Sequence, residues 1–486
     1  MSDMLRRARE YEREKRAGAR AALPAYHVTG GIGWINDPNG FSAYQGAYHL
    51  FFQYYPYDVS WGPMHWGHVK TTDFVRWEYL PAALAPDEAY DKDGCFSGSA
   101  VEGKNGEQVL LYTGVRKTDD GDEYQTQCVA FGDGRDYEKS PLNPVIDETM
   151  LPEGGSHVHF RDPKIWREGD KYYAVAANLC PNNSGAILLY ESDDARHWRP
   201  AGKLAGGEGR YGTMWECPDF FHLDGKDVLI HSAHEMRTEG LEFHPGDGTV
   251  CHIGHCDPKT HRLTDEQVQA IDYGIDFYAP QTLETNDGRR VMIGWMQSWA
   301  GSRAVHPGLP FFGMMTVPRE LSIRNGRLFQ WPVRELEGFR RNPVRHENVR
   351  VTDWLSLPGV SGRVLDMALT VRPEAGCRRF TVRIAEGEGL YSEISFLPEA
   401  GILRTDRIMS GLTEDVVHVR DFPCGLQNGA LRLRVLMDKY SLELFVNGGE
   451  QAASMTLYTP LTAQGIRFQA DGAALLDVEK YELVIE

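Results

Sequence analysis

An all-β chain, with a five-bladed β-propeller followed by a C-terminal β-sandwich, is the architecture this sequence predicts, and three observations carry the prediction. Strand-like runs rich in Tyr, Phe, Val, Ile and Leu recur at 48–55, 109–114, 171–177, 227–233 and 290–296, at intervals of roughly 60 residues, a period that signals propellers or arrays. The run Asp73-Phe74-Val75-Arg76-Trp77 is echoed by Asp194-Ala195-Arg196-His197-Trp198 with the same Asp-to-Trp spacing. After Pro332 the repeat stops and period-two alternation takes over, as in 364–371, 380–384, 431–437 and 441–446, the mark of half-buried antiparallel strands.

Taken in order, residues 1–22 mix Arg6, Arg7, Arg9, Arg13 and Arg16 with Glu10, Glu12 and Glu14, and predict a charged helical extension lying on the body. This stretch has no apolar segment of the kind a secretory signal needs. Residues 23–336 hold the five repeats, and radial repetition of four-stranded units protects sheet edges. Residues 337–347 read as a linker. Residues 348–486 read as the sandwich, with Asn447-Gly448-Gly449 supplying a hairpin turn that needs positive φ.

Composition narrows the function classes. A formal net charge of −18 argues against nucleic acid and anionic membranes, which clustered Lys and Arg would bind. Eight cysteines are spread thinly along 486 residues, unlike a disulfide scaffold, and read as free thiols. No run of about 18 apolar residues occurs. A cytoplasmic protein with a small ligand is the expectation, with no oligomeric state assigned.

A propeller points equivalent positions of successive blades at one axis. Asp37, in Trp34-Ile35-Asn36-Asp37-Pro38-Asn39-Gly40, precedes the first repeated strand by about ten residues. Ser97, in Phe96-Ser97-Gly98-Ser99, Asp162, in Arg161-Asp162-Pro163-Lys164, and Glu216, in Trp215-Glu216-Cys217-Pro218-Asp219, hold matching places before the second, third and fourth. Asp276 precedes the fifth. Acids converging among Trp34, Trp61, Phe96, Trp215 and Tyr278 suit either metal binding or cleavage of a glycosidic bond by paired carboxyls. Asn, Asp, Pro and Gly together also build ordinary tight turns, so any single one of these segments has a structural reading.

These four segments, in this order and at these spacings, resemble the signature motifs of glycoside hydrolase family 32, the invertases, sucrose-6-phosphate hydrolases and fructanases, and the similarity runs over essentially the whole chain. The family's fold, a five-bladed propeller followed by a sandwich, agrees with the repeat. The resemblance implies a retaining β-fructofuranosidase. It gives Asp37 as the nucleophile, Glu216 as the general acid/base and Asp162 as the carboxylate that holds the fructose hydroxyls. It implies that Asn36, Gln53, Trp61, Phe96, Ser97 and Arg161 line the pocket for the terminal fructose, with Tyr278 and Trp295 at its rim. Such a division of labour requires Asp37 ionised and Glu216 protonated near neutral pH, so their pKa values should be pushed apart.

No metal and no cofactor is expected. Cys251-His252-Ile253-Gly254-His255-Cys256 lacks zinc-finger or ribbon spacing, and the acidic run 119–123 lacks the glutamate an EF-hand loop needs. The partner is a small carbohydrate: sucrose, sucrose 6-phosphate or short fructo-oligosaccharides. Arg303 and His306 are the cations that could meet a phosphate. Fructosyl transfer would use the same acids, whereas a protein that only binds sugar has no reason to hold a nucleophile and a proton donor across one bond.

Overall fold

The computed structural model describes residues 1–485, and it is all-β apart from one helix and short 3-10 turns. Residues 33–332 form five antiparallel sheets in sequence order. Their first strands are Gly33–Tyr44, Gly94–Glu102, Phe160–Glu168, Trp215–Leu223 and Tyr278–Glu284. Each is followed by a second strand, Ala47–Tyr55, Gln108–Lys117, Lys171–Leu179, Lys226–Met236 and Arg290–Trp295, and these second strands are the repeats seen in the sequence. The five first strands touch one another in cyclic order, the fifth returning to the first. Phe311–Phe312 pairs in parallel with Gly33 and Trp34, which ties the chain after the fifth sheet back to the first.

Between neighbouring sheets the faces are packed with aromatic and branched side chains, among them Phe51, Trp66 and Tyr112 between the first and second. Fully burying side chains of this size stabilises by about 1.5–3 kcal/mol each. Beyond residue 340 two further sheets of six and five strands face each other. Their inward positions, Leu365, Met367, Leu369, Phe380, Val382, Ile384, Leu433 and Val435, belong to one hydrophobic cluster. The stretch expected to be a linker differs: Arg340–Val351 is an edge strand paired with Ala474–Leu483. Its sequence hides this, because most of its side chains are solvent-exposed and carry no alternation of burial.

The N-terminal helix, Asp3–Ala19, is capped by Ser2, whose side chain accepts from the Leu5 N–H. Its one buried acid, Glu12, pairs with Arg16 at 2.7 Å and accepts from the Ala82 N–H at 3.0 Å. Among the described residues no helix is long and apolar enough to cross a membrane.

Buried charge joins the five-sheet ring to the C-terminal sheets. Arg319 sits between Asp272 at 2.9 Å and Glu443 at 2.6 Å, all without exposure. Asp276, expected to point at the central axis, instead faces outward to the C-terminal sheets, where it meets Arg407 at 2.5 Å and accepts from the Thr456 hydroxyl at 2.7 Å. Removing one partner of a buried pair of this kind costs roughly 3–5 kcal/mol, so Asp276 is an interdomain anchor.

His27 lies between Asp438 and Glu443 at 3.0 Å each, fully buried. Burial alone would lower its pKa, but the two carboxylates outweigh burial and raise it to about 9. A folded pKa above the unfolded value of about 6.5 means that the proton's stabilisation is complete below that pH and is lost as pH climbs toward 9. The thermal midpoint is therefore expected to decline between pH 6.5 and 9, and His27→Gln should flatten that slope. An unchanged slope in the variant would remove His27 as its cause.

Candidate active site

Every first strand carries an irregularity at the same level. Pairing with the second strand skips between Ile35 and Pro38, Phe96 and Gly98, Arg161 and Lys164, Glu216 and Asp219, and Tyr278 and Gln281. An extra residue bends a strand and re-aims its side chains. Proline, which has no N–H to give a ladder, is tolerated at such breaks, and Pro38, Pro163, Pro218 and Pro280 sit at four of the five. Asp162, Cys217 and Ala279 adopt positive φ of 62°, 49° and 51° at these bulges. The Asn36-to-Gly40 stretch is thus a bulged strand and not a free turn.

The bulges turn their side chains into a cavity of about 290 Å³ on the ring axis, lined by Asn36, Asp37, Gln53, Trp61, Phe96, Ser97, Arg161, Asp162 and Glu216 together with Glu123, Gln125, His159 and Trp299. A larger cavity of about 560 Å³ lies between the N-terminal helix and the ring, but among the described residues its lining contains no carboxylate. A cavity of about 470 Å³ does carry Glu102, Glu168, Asp227 and Glu284, but none of these is buried, whereas Asp37 and Asp162 are, so convergence of buried acids, and not size, selects the axial cavity.

Asp37 accepts from the Ser97 hydroxyl at 2.6 Å through Oδ2, with the Cys217 thiol 3.5 Å from the same oxygen. Its Oδ1 has no hydrogen-bond partner among the described residues. Asp162 Oδ2 accepts from the Cys217 N–H at 3.0 Å, and its own N–H donates to Thr113 Oγ1. Glu216 is the most heavily bonded: Arg161 donates to Oε1 at 2.9 Å and the Tyr278 hydroxyl donates to Oε2 at 2.9 Å. The His234 Nε2 lies 2.7 Å from Oε2, and the His234 Nδ1 is 2.9 Å from Asp247. Asn36 accepts from the Trp34 indole at 2.8 Å, and Gln53 donates to the Cys95 carbonyl at 3.0 Å. Trp61 stands edge-on to Phe96 and is 47% exposed at the mouth.

The titration order differs from the expected one. Burial and the charge of Glu216 raise Asp37, against bonds from Ser97, Asn36 and Cys217. Burial also raises Asp162, reinforced by Glu216 and opposed by Arg161. Burial works on Glu216 in the same sense, yet the charges of His234 and Arg161 outweigh it and hold the carboxyl below the usual range. His234 is raised to about 10, because Glu216 and Asp247 overcome its burial. The two cations thus work against the proton that an acid Glu216 needs, while the carboxylates on either side favour one on His234.

Two rim assignments also change. Tyr278 is fully buried behind Glu216, and Trp295 is fully buried beneath the wall, 6.3 Å from Trp34 between ring centres. Trp299, four residues on, takes the rim position. His306 is likewise away from the mouth, stacked on Tyr458 at 4.4 Å in the domain interface. Gln125, His159, Trp299, His234 and Asp247 escaped the sequence reading because none lies on a first strand.

Carboxylates from separate sheets facing one cavity, with aromatic rings at its mouth, are the equipment of a glycoside hydrolase. The sequence models of the Glycosyl hydrolases family 32 N-terminal domain and C-terminal region match residues 27–332 and 335–483, and the chain belongs to that family. A sucrose-6-phosphate hydrolase of Escherichia coli is 35% identical over 443 residues, covering 90% of this chain and 89% of its own. A raffinose invertase of Escherichia coli is 35% identical, covering 93% of each chain. A Bombyx mori β-fructofuranosidase mutant solved in complex with sucrose superposes with a TM-score of 0.85 at 32% identity, covering 98% of this chain and 97% of that one.

Proposed function

We propose that the chain is a β-fructofuranosidase that works with retention through a covalent fructosyl-enzyme, and that its five-sheet ring and C-terminal pair of sheets are the blades of a propeller and a sandwich. The substrates are terminal non-reducing β-fructofuranosides, sucrose and short fructo-oligosaccharides first. What carries the reading is the convergence of Asp37, Asp162 and Glu216 in one cavity from three bulged strands.

In this reading Asp37 Oδ1, the oxygen with no hydrogen-bond partner among the described residues, attacks the anomeric carbon of the fructosyl unit. The bond to the leaving oxygen breaks, and that oxygen takes a proton from Glu216. Asp162 binds fructose hydroxyls, so that its contacts strengthen as charge develops on the ring. Water then attacks the anomeric carbon, Glu216 takes a proton from that water, and Asp37 leaves as carboxylate.

Retention is tested by methanolysis of sucrose. Transfer to methanol should give methyl β-D-fructofuranoside, and the α anomer would overturn the covalent route. A protein that only binds sugar would release no fructose at all.

The cavity also ranks the substrates. Its lining cation, Arg161, is already tied to Glu216, His159 is pushed below its ordinary value by burial and by Arg161, and Glu123 adds a further carboxylate to the wall. A phosphorylated leaving sugar meets net negative charge there. Sucrose is expected to exceed sucrose 6-phosphate in kcat/KM by about tenfold, the effect of ~1.4 kcal/mol at the transition state. Equal values would show a phosphate contact that these residues do not provide.

A further inference from the structure

We propose that His234, held by Asp247, is a positioning residue that stores the proton Glu216 delivers and takes it back when Glu216 acts as base. This rests on the acid/base reading of Glu216 and extends it to a side chain that does not line the cavity.

The geometry has three links. Glu216 comes from the first strand of the fourth sheet, His234 from its second strand and Asp247 from its third, Gly246–Cys256. His234 Nε2 is 2.7 Å from Glu216 Oε2, and Nδ1 is 2.9 Å from Asp247 Oδ1. The other oxygen of Asp247 accepts from the Ala300 N–H at 3.0 Å, next to the rim residue Trp299. An imidazole with one nitrogen turned to a fixed carboxylate keeps that nitrogen protonated and leaves the other to exchange a proton with the group it faces.

The charged and titratable groups facing this trio are Arg161 from the third sheet, which donates to Glu216 Oε1, Tyr278 from the fifth, which donates to Oε2, and across the cavity Asp37 from the first sheet and Asp162 from the third, with the Cys217 thiol beside them. His159 lies beyond Arg161, 3.3 Å from its guanidinium. Arg161 alone would keep Glu216 ionised and useless as an acid. With His234 present, the pair as a whole keeps a proton to high pH, and the raised His234 value of about 10 agrees with this.

The cycle balances. In the first half the Nε2–H bond of His234 breaks as an O–H bond forms on Glu216 Oε2. That proton passes to the glycosidic oxygen, which keeps the electron pair of its broken bond to the anomeric carbon. In the second half Glu216 takes a proton from the attacking water and returns it to Nε2. Enzyme charge and proton count are restored at the end.

The test compares sucrose with β-D-fructofuranosyl fluoride, whose leaving group needs no proton, in the wild type, His234→Gln and Asp247→Asn. On sucrose His234→Gln should lose about 10²-fold in kcat/KM, within the range for proton transfer by a side chain. Its alkaline limb should move down by roughly one pH unit or more, because Glu216 must then hold the proton alone beside Arg161. On the fluoride it should stay within about threefold of wild type, since acid assistance is not needed there. Asp247→Asn, which keeps the imidazole in place, should move the limb the same way by less. Equal losses on both donors with an unmoved limb in both variants would overturn the proposal and leave His234 a packing residue. Wild-type turnover of sucrose by Glu216→Ala would instead sink the parent reading, whatever the histidine does.

Discussion

Asp37→Ala is expected to lose about ten-thousand-fold or more in kcat on sucrose, the scale seen when a nucleophile is removed from an enzyme that works through a covalent intermediate. The carboxylate is held at the bulge by Ser97 through one oxygen, while the other has no hydrogen-bond partner among the described residues. Its removal therefore takes away the attacking atom and little of the packing. The bulge itself is fixed by pairing of Trp34 and Ile35 on one side and Pro38 and Asn39 on the other, none of which uses the Asp37 side chain. The thermal midpoint should stay close to wild type, and deletion of a buried carboxylate that is costly to ionise can even raise it. Initial rates of fructose release, read beside a circular-dichroism melt, decide the matter. A folded variant that keeps more than a tenth of wild-type turnover would show that Asp37 is not the nucleophile.

The sequence made the repeat visible because each second strand is a dense apolar run, buried on both faces by neighbouring sheets, and such runs survive as a spacing. The same spacing misled at Asp276. Counting back from the repeated strand placed it in phase, whereas the bulges set the true phase one residue before each proline. Counted from the prolines, Asp37, Asp162, Cys217 and Ala279 are equivalent, as are Asn36, Arg161, Glu216 and Tyr278, although the last paired residue before the break is Ile35 in the first strand and Arg161, Glu216 and Tyr278 in the others. Glu216 is thus one step out of register with the two aspartates, and Asp276 lies outside its strand altogether. The fifth sheet contributes Tyr278 to the site, as a donor to Glu216. The Pro at four bulges was legible in the sequence, but its meaning as a register mark was not.

His234 and Asp247 stayed hidden for a different reason. Both lie in a bulge between the second and third strands of the fourth sheet, where pairing skips between Ala233 and Met236, and only that break brings their level of the sheet to Glu216, whose own pairing partner is Ser232. No spacing along the chain encodes that level until the strand pairing is known. The order of titration was invisible for the same cause, since it depends on two cations, Arg161 and His234, reaching one carboxyl from different strands. A residue's type suggested the role, and its neighbours set the direction in which its pKa moves.

Glu216→Ala should separate the two halves of the reaction in a way that no other substitution does. With sucrose the leaving oxygen needs its proton, so turnover should fall by about 10²–10⁴-fold. With β-D-fructofuranosyl fluoride the first step needs no acid and proceeds, while the second lacks a base and stalls at the fructosyl-enzyme. Azide, which attacks without losing a proton, should then restore turnover and give β-D-fructofuranosyl azide with retained configuration. Truncation also takes from the buried Arg161 its carboxylate partner at 2.9 Å and leaves His234 with Asp247 alone, and a buried charge that loses its partner is strongly destabilising. Glu216→Gln keeps an acceptor for Arg161 with no titratable proton, so it should fold better and show the same pattern of loss and rescue. If azide restores nothing in either folded variant while Asp37→Ala is equally dead, the two carboxyls do not divide the chemistry as nucleophile and acid/base. Rescue with the inverted α-azide would place the attacking anion where Asp37 stands and remove the covalent intermediate from the scheme.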